Sequence, residues 1–460
     1  MATCSSRGEG AGWESDVEGA GSCVRIAETN RGGCKGMRSY LSRWLSMVCV
    51  VAAVSLVALN LAAGAGAGAV TLKIGVPLAL TGPIAEQAGE MVHGYQLYLN
   101  QHGNMLGGVP VKLYIEDTQA DPAMVIAKTR KLLSSDHVDF IGGAALALES
   151  LAVIQVTAPR HVAFITPMSS ADNLTQRKLV PTFARLNMTS SQPNLYFGQW
   201  VYQNLHYKRV AVIAQDYAYG WESAGGFQYG FEKSGGKVVQ KLFAPFTVSD
   251  YAPFVRQLNA NVDAVYAILV GAHVPRFEKA YNQFGLGGKI PLIGGPDIAD
   301  EDALQAAGKD AVGITIIHEY SKDTPAAATQ AFIEAWQKAY GGQTPSYWGE
   351  STYTAAHWID EALTNYRKKT GMSADAVPGW IVKNPEQFIS AIVDTKLAVT
   401  PRGPLAMDGY HNPINNLYIF KVDKPNHKTV LATIAGANQF WMESPEQFLS
   451  HPVFSRDFPQ

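Results

Sequence analysis

Four loops of the chain carry groups that could hold a small polar ligand, and each follows a short apolar run. Residues 80–84 and 141–146 contain Gly or Pro, so their backbone amides could approach a ligand or simply form tight turns. Ser169 and Ser170 could hydrogen-bond a ligand carboxylate, or cap the helix that follows them. Asp297 could pair with a ligand ammonium, or be an ordinary loop acid or helix cap. The chemistry available in these loops is hydrogen bonding and ion pairing.

Motifs for covalent chemistry are weak. Residues 234–237 and 369–371 superficially match the Lys motifs of serine β-lactamases, but Asp172 and Asn173 follow Ala171 where that family requires Ser. The eleven His residues show no metal-ligand spacing, and the sequence has no phosphate-binding P-loop. We therefore expect a protein that is not an enzyme and needs no cofactor or metal. An exported hydrolase is the enzymatic alternative.

Charge and cysteine content exclude further classes. Lys and Arg number 37 against 39 Asp and Glu, which gives a formal net charge of −2. The charges are scattered, so no basic face of the kind that nucleic acid requires is visible. All four Cys residues lie at or before Cys49. The chain after Val70 therefore has no disulfide and no thiol nucleophile.

Residues 37–69 have the pattern of a secretory signal peptide. A short basic start with Met37 and Arg38 precedes an apolar run over residues 45–63, and a Gly-Ala tail offers cleavage sites after Ala67 or Ala69. A permanent membrane anchor is the competing interpretation of the apolar run. Residues 1–36 are interpreted as a disordered extension or the product of a misplaced start codon. The predicted localisation is the periplasm.

Short apolar runs alternate with amphipathic stretches after Val70, and the alternation restarts near residue 190. Strand followed by helix, repeated, is typical of parallel sheets covered on both faces. The restart predicts an α/β protein of two doubly wound parallel-sheet lobes, and in such sheets ligands bind at the loops after the strands. The predicted strands are 72–78, 111–115, 138–141, 163–165, 209–214, 237–242, 264–269, 291–293 and 417–422, and the predicted helices are 90–101, 123–133, from 148, 194–205, 222–234, 251–259, 274–284, 329–340 and 351–367.

The order of these motifs resembles the type I periplasmic solute-binding proteins of ABC importers, specifically the branched-chain amino acid-binding group. The resemblance covers residues 70–425 and is carried by Ile74-Gly-Val-Pro-Leu-Ala-Leu-Thr-Gly-Pro and by residues 106–108, 116–118, 121–122, 140–143, 165–167, 216–220, 250–251, 257–258, 401–404 and 418–419. Each motif is weak alone, whereas the joint order is specific to the family but not to a ligand.

The resemblance implies two lobes joined by a three-strand hinge that close on a ligand, the Venus-flytrap arrangement. We expect crossovers near residues 186–192, 316–322 and 405–412. Lobe 1 would then comprise residues 70–188 and 320–406, and lobe 2 residues 189–319 and 407–460.

The family's ligand contacts can be carried over position by position. Ser169 and Ser170 fall on the loop that holds the ligand α-carboxylate, and Asp297 falls on the acidic position that holds the α-ammonium. The resemblance further places three side chains around the ligand: Tyr219 over it, Trp348 in the side-chain pocket and Gln87 near the first loop.

Two departures from the family pattern concern the pocket wall. The position that usually offers a Ser hydroxyl to the carboxylate is Leu146, or Ala145 if the register slips, and a second wall segment ends at His273. A lost hydrogen bond to a charged group is worth about 1.5–3 kcal/mol. The ligand could be an amino acid held by fewer hydroxyls, or another small acid or amide, including an aromatic one stacked by Tyr219 and Trp348.

By this resemblance the chain is the periplasmic substrate-binding component of an ABC importer. It would capture a small amino acid or related carboxylate or amide and deliver it to an inner-membrane permease, with no cofactor. A ligand-sensing receptor for a signalling partner and a binder of aromatic carboxylic acids are the alternatives. A monomer is expected from the family, and no nucleic-acid partner is expected.

Overall fold

A computed structural model of the protein describes residues 70–459. The predicted extension over residues 1–36 and the predicted signal peptide over residues 37–69 lie outside the described residues. Among residues 70–459, no helix combines the length and the apolar character needed to cross a membrane.

The first sheet has six strands in the order β2-β3-β1-β4-β5-β6, all parallel to their neighbours except β2. Six of the seven residues of β1 are buried, and the last five are buried in succession, which requires cover on both faces of the sheet. The strands are β1 Leu72–Leu78, β2 Met105–Leu106, β3 Val109–Asp117, β4 Phe140–Ile141, β5 Phe164–Thr166 and β6 Phe183–Arg185.

The second sheet has eight strands, with the parallel order β8-β7-β9-β10-β11 followed by antiparallel β13, which also pairs with β12 and β14. Strands β7 and β9 are near-continuous buried runs, as expected for central parallel strands. The strands are β7 Arg209–Gln215, β8 Lys237–Ala244, β9 Ala264–Ile268, β10 Leu292–Gly294, β11 Thr315–His318, β12 Ala406–Met407, β13 Pro413–Lys424 and β14 His427–Ala437.

Thirteen α-helices connect and cover these strands within residues 70–459. They are α1 Ala85–Gln101, α2 Pro122–Ser134, α3 Ala147–Thr157, α4 Gln192–Trp200, α5 Ala218–Lys233, α6 Ala252–Gln257, α7 His273–Gln283, α8 Glu301–Ala307, α9 Thr329–Ala339, α10 Tyr347–Thr370, α11 Val377–Lys383, α12 Pro385–Asp394 and α13 Pro445–Ser450.

Helices α9 to α12 return the chain to the first sheet. The α10 residue Trp358 is fully buried, and its indole N–H donates to the carbonyl of Ile392 at 3.0 Å. Helix α10 packs along α1, and α12 reaches β6. We call the first sheet with the helices packed against it the first lobe, and the second sheet with its helices the second lobe.

Three segments that pass between the lobes contact one another. Gln192 donates to Asn415 Oδ1 at 3.0 Å, and Asn412 donates to Gln192 Oε1 at 2.9 Å. Asn415 in turn donates to Glu319 Oε2 at 3.0 Å. The buried guanidinium of Arg402 pairs with Glu319 at 2.7 Å and with Glu350 of α10. Paired charges therefore tie the crossing segments to the first lobe.

The alternating pattern predicted most elements, but not their ends. Helix α10 begins at Tyr347 instead of residue 351, and α1 begins at Ala85 instead of residue 90. The predicted helix over 194–205 is an α-helix that continues as a π-helical turn over Val201–Leu205. No sequence pattern predicted β14, α11 or α12. Strand β14 is rich in Thr and Ala, so it lacks a strong apolar pattern.

Candidate functional site

Loops after the strands of both sheets meet in an interlobe cleft. The backbone N–H of Ala272 donates to the carbonyl of Pro83 at 3.0 Å, and the Gln87 side chain donates to Asp302 at 3.3 Å. Farther along, the N–H of Asp172 donates to Glu222 Oε2 at 3.1 Å. The lobes are therefore in contact at the start of α1 and at the loop around Asp172.

Asp297 accepts a hydrogen bond at each of its carboxylate oxygens, one from its own lobe and one from the opposite lobe. Tyr219 of α5, in the same lobe, donates to Oδ2 at 2.9 Å. Tyr347, the first residue of α10 in the opposite lobe, donates to Oδ1 at 2.6 Å. Asp297 is only 4% exposed. Its two hydrogen bonds therefore satisfy a buried carboxylate and connect lobes at the same time.

Local structure fixes Tyr347 in position. The side chain of Ser346 caps α10 by accepting the N–H of Trp348 at 3.2 Å. The Tyr347 ring packs edge-on against His318, with ring centroids 4.3 Å apart. A capped helix start and a packed ring hold the phenol hydroxyl near Asp297.

Burial raises the pKa of Asp297 to about 6, against the lowering effect of the hydrogen bonds from Tyr347 and Tyr219. At neutral pH the carboxylate is thus mostly ionised, and it protonates in mildly acidic solution. An ionised buried acid in a cleft wall is suited to hold an ammonium or another hydrogen-bond donor.

The inner part of the cleft contains a small cavity of about 30 Å³. Its polar wall includes the hydroxyls of Ser170 and Ser190, whose oxygens lie 3.0 Å apart, and the amide of Asn187. Tyr219 and Tyr347 close the cavity on the side of Asp297. This wall offers hydrogen-bond donors that a carboxylate could accept from.

The outer part of the cleft contains a larger cavity of about 370 Å³. Gln87 and Trp348 contribute from the first lobe, and Asp297, Asp300 and Asp302 contribute from the second. With Glu86 of the first lobe, four acidic side chains line this cavity, which makes it favourable for a cationic or hydrogen-bond-donating group. Asp297 is positioned between the two cavities, because it lines the outer one and bonds the tyrosines that close the inner one.

Acidic groups also face each other across the cleft mouth. Burial, and then repulsion from Asp302, raises the pKa of Glu90 to about 8. Burial, and then repulsion from Glu86, raises the pKa of Asp302 to about 6. The mouth therefore carries less negative charge at neutral pH than its composition suggests.

The amino end of α3 is occupied by a side chain of the same helix. The carboxylate of Glu149 accepts the N–H groups of Ala145 and Leu146 at 3.0 and 2.9 Å, and Thr118 donates to its other oxygen. Glu149 is fully buried, and burial raises its pKa. The amides of Ala145 and Leu146 are engaged within the lobe, and the Leu146 side chain offers no hydroxyl.

The two serines of the third loop differ. Ser169 is fully buried, its hydroxyl bonds that of Ser150, and its carbonyl accepts from Arg185 at 2.5 Å. Ser170 is half-buried and lines the inner cavity. Of the two hydroxyls, that of Ser170 faces the cleft.

His273 begins α7, and its ring lies among aromatic side chains of the second lobe. Its Nδ1 is 3.2 Å from the Tyr251 hydroxyl, and the ring packs against Phe246. Burial, with repulsion from Arg276, lowers the pKa of His273 to about 4, so the ring is neutral at neutral pH.

The nine predicted contact residues thus fall into three sets. Gln87, Asp297 and Trp348 line the outer cavity, and Ser170 and Tyr219 line the inner one. Four residues line neither cavity, namely Ala145, Leu146, Ser169 and His273.

Sequence reasoning missed Tyr347, Ser190 and Glu149. Glu149 could have been found, because an acid at the third position of a helix commonly reaches back to the amides before it. Tyr347 is adjacent to Trp348, but no sequence pattern predicted that its hydroxyl would cross the cleft. Ser190 reaches the site because the first crossing segment passes beside Ser170.

Among residues 70–459, no group of three or more His, Cys, Asp or Glu side chains has the arrangement to hold a metal ion.

Comparison with known proteins identifies this architecture. Residues 71–428 match the family described as periplasmic binding protein. A Leu/Ile/Val-binding protein homolog 6 from Brucella melitensis is 26% identical over 389 residues, which cover 82% of this chain and 94% of that protein.

Two solved structures are similar in sequence and fold. A solute-binding protein of an ABC transporter from R. palustris, in complex with benzoate, is 26% identical with a TM-score of 0.72 and covers 80% of this chain and 97% of that one. A solute-binding protein from Rhodopseudomonas palustris BisB5, in complex with 3,4-dihydroxy benzoic acid, is 27% identical with a TM-score of 0.72 and covers 80% and 98%.

Proposed function

The chain belongs to the periplasmic binding protein family, and from this premise we propose that it captures a small amino acid or related carboxylate in the interlobe cleft and delivers it to an ABC permease. The family implies a periplasmic location. The observation that carries the proposal is Asp297, a buried acid between the two cavities that is bonded from both lobes.

In this proposal a ligand ammonium binds Asp297. An ammonium brings a full positive charge and three N–H donors to the ionised acid, so it can compete with the neutral tyrosine hydroxyls and displace one or both. The released hydroxyls of Tyr219 and Tyr347 remain close enough to bond the ligand. The acidic side chains of the outer cavity add to the attraction for a cationic group.

The ligand carboxylate binds at the inner end, near the hydroxyls of Ser170 and Ser190 and the amide of Asn187. The amides of Ala145 and Leu146 are unsuited to this role as long as Glu149 accepts from them. This assignment gives the carboxylate a set of donors in which side-chain hydroxyls predominate.

Binding requires movement of the lobes. A benzene ring needs a cavity of about 150 Å³, whereas the inner cavity measures about 30 Å³. A ligand with a side chain larger than a few atoms therefore enters with the lobes apart, and its contacts to both lobes favour closure. The closed, occupied protein is the form that a permease would recognise.

An aromatic carboxylate is the second candidate, because two observations favour it. Tyr219 and Tyr347 satisfy Asp297 without any cation, and both rings line the inner cavity, where an aromatic ring could pack against them. Relatives crystallised with benzoate and 3,4-dihydroxy benzoic acid support this candidate.

Isothermal titration calorimetry on the purified protein and on Asp297→Asn separates the candidates. The ligands are leucine, isoleucine and phenylalanine against benzoate, 4-hydroxybenzoate and 3,4-dihydroxybenzoate. 3-Phenylpropanoate differs from phenylalanine only in lacking the ammonium, so that control isolates the effect of the ammonium.

An amino-acid receptor binds one of the first three ligands, and Asp297→Asn weakens that binding by about 10- to 100-fold. An aromatic-acid receptor binds one of the last three, and Asp297→Asn preserves or strengthens the binding. Absence of heat with all six ligands would contradict both candidates.

A further inference from the structure

A cavity of about 260 Å³ lies in the second lobe, at the end of the parallel strands that is opposite the cleft. The cavity is bounded by residues just before β10 and β11, whereas Asp297 follows the carboxyl end of β10. Because β10 and β11 are parallel, these positions lie at opposite ends of the strands. The cavity is therefore separate from the proposed solute site.

Glu278 of α7 forms part of the cavity wall. Its side chain is buried, with 6% of the residue exposed, and within residues 70–459 neither carboxylate oxygen has a hydrogen-bond partner. Buried carboxylates in proteins are normally paired or hydrogen-bonded, because leaving one unsatisfied is strongly unfavourable. This acid is placed where a ligand could supply the missing partner.

The neighbouring groups add negative charge and apolar surface. Asp310 lines the same cavity, and its charge acts on Glu278. The Tyr281 hydroxyl donates to the carbonyl of Ile290 at 2.9 Å, so it is engaged elsewhere. Lys289 also lines the cavity, but no ion pair joins it to either acid in the described part of the chain.

The shape and lining indicate the class of ligand. A cavity of about 150 Å³ is enough to admit a benzene ring, so this one has room for a ring and a short charged group. The apolar side chains of Ile290, Leu292 and Ile314 line the cavity and would pack against the ring of such a ligand.

We infer that this cavity is a second binding site, for a small organic cation that places an ammonium at Glu278 and Asp310 and its apolar body against the neighbouring aliphatic side chains. The site does not depend on the proposed function, since it shares no residue with the cleft.

Burial, and then repulsion from Asp310, raises the pKa of Glu278 to about 8. A bound ammonium would favour the ionised form, so binding at neutral pH would be accompanied by proton release. The proton release follows from the burial of the Glu278 carboxylate, because an exposed acid is already ionised at neutral pH and would release no proton.

Calorimetric titration of the purified protein with benzylammonium chloride tests the inference. Benzyl alcohol, which keeps the ring but lacks the charge, is the matched probe. The variants are Glu278→Gln, Asp310→Asn at an exposed position, and Asp297→Asn in the cleft. Thermal unfolding checks that each variant is folded.

The expected result is saturable binding of benzylammonium and at least tenfold weaker binding of benzyl alcohol. Glu278→Gln should weaken benzylammonium at least about tenfold and Asp310→Asn a few-fold. Asp297→Asn removes any benzylammonium bound in the cleft, so the binding that remains in this variant reports the second site alone. Asp310→Asn keeps the test valid even if Glu278→Gln fails to fold.

Three results would each overturn the inference. The first is no saturable binding of benzylammonium up to about 10 mM. The second is affinity that is unchanged in both Glu278→Gln and Asp310→Asn. The third is binding that is lost in Asp297→Asn but kept in Glu278→Gln, which would show that benzylammonium binds in the cleft.

Discussion

Asp297 and Glu278 are both buried acids of the second lobe, yet they have opposite surroundings. Asp297 accepts a hydrogen bond at each oxygen, and one donor comes from the other lobe. Glu278 has no hydrogen-bond partner at either oxygen within the described residues. The hydrogen bonds of Asp297 depend on how the lobes meet, whereas the surroundings of Glu278 belong only to its own lobe. Burial alone therefore does not tell what a carboxylate does, and its partners have to be identified.

The strongest contrast with Glu278 is an acid paired with a buried cation. Arg402, 1% exposed, pairs with Glu319 and Glu350. Removing one partner of a buried pair leaves an uncompensated charge, so we expect Arg402→Met to lower the free energy of unfolding by about 3–5 kcal/mol. Denaturant unfolding measures this loss.

Arg456→Met is the matched control for that substitution. Arg456 pairs with Asp216 at 3.0 Å, but its side chain is 56% exposed. An exposed pair contributes about 0–1 kcal/mol. Equal losses in Arg402→Met and Arg456→Met would contradict the importance of the buried cluster.

The two donors to Asp297 differ in the lobe from which they come, and a matched pair of variants separates them. Tyr347→Phe removes the cross-lobe bond, and Tyr219→Phe removes a bond within the second lobe. Each hydrogen bond to a charged acceptor is worth about 1.5–3 kcal/mol. We expect only Tyr347→Phe to shift the lobes toward the open arrangement.

Spin-label distances measure this shift. Because the chain after Val70 has no Cys, single Cys residues introduced at exposed Gln155 and Lys237 give one label in each lobe. Equal distance distributions in Tyr347→Phe and in the parent protein would contradict the bridging role of Tyr347.

Neutralising the unsatisfied acid should stabilise the protein in alkaline solution. The pKa of Glu278 is raised from its ordinary value of 4.5 to about 8, so the folded state binds more protons between these values and stability falls as pH rises through that window. Repulsion from nearby Asp310 adds to the effect.

We expect Glu278→Gln to raise the free energy of unfolding by about 1–2 kcal/mol near pH 9 and to have little effect near pH 4.5. Denaturant unfolding at both pH values measures the difference. Glu334→Gln, at an exposed position of α9, is the control and should be neutral at both. A destabilised Glu278→Gln at pH 9 would mean that the carboxylate has a favourable partner.

The smallest effect is expected at the edge of the cleft. The contact between Gln87 and Asp302 is 3.3 Å long and lies near the mouth. Gln87→Ala should change the closing equilibrium by less than about 1 kcal/mol. The same spin-label pair measures this change. A shift as large as that in Tyr347→Phe would contradict the expectation that the Gln87 contact contributes less to closure than the Tyr347 bond.

The sequence predicted the two-sheet architecture because the buried strands are apolar runs of the length expected for parallel sheets. Strand β14 was missed because its exposed face and its Thr and Ala content leave little apolar pattern. Helices α11 and α12 are each ten residues or fewer, too short for a clear period.

The site was only partly predictable for a different physical reason. The resemblance predicted Asp297, Trp348 and Gln87 as ligand contacts, and all three line the outer cavity. The bond from Tyr347 to Asp297 joins residues 50 positions apart across two lobes, and no local pattern encodes such a contact. Ser169 and Ser170 look alike in sequence, and only packing decides that one faces Ser150 and the other the cleft.

The most direct test of the central claim is the pH dependence of ligand affinity in the parent protein and in Asp297→Asn. The pKa of Asp297 is about 6, so an ammonium that binds the ionised acid should bind progressively more weakly below that pH, by up to about tenfold per unit. An aromatic acid should show the opposite trend, since its charge repels ionised Asp297. Calorimetry between about pH 5 and about pH 8 covers the transition. We expect the pH dependence of the affinity to disappear in Asp297→Asn. An affinity that does not vary with pH, or a dependence that survives in Asp297→Asn, would contradict the claim that Asp297 holds the ligand.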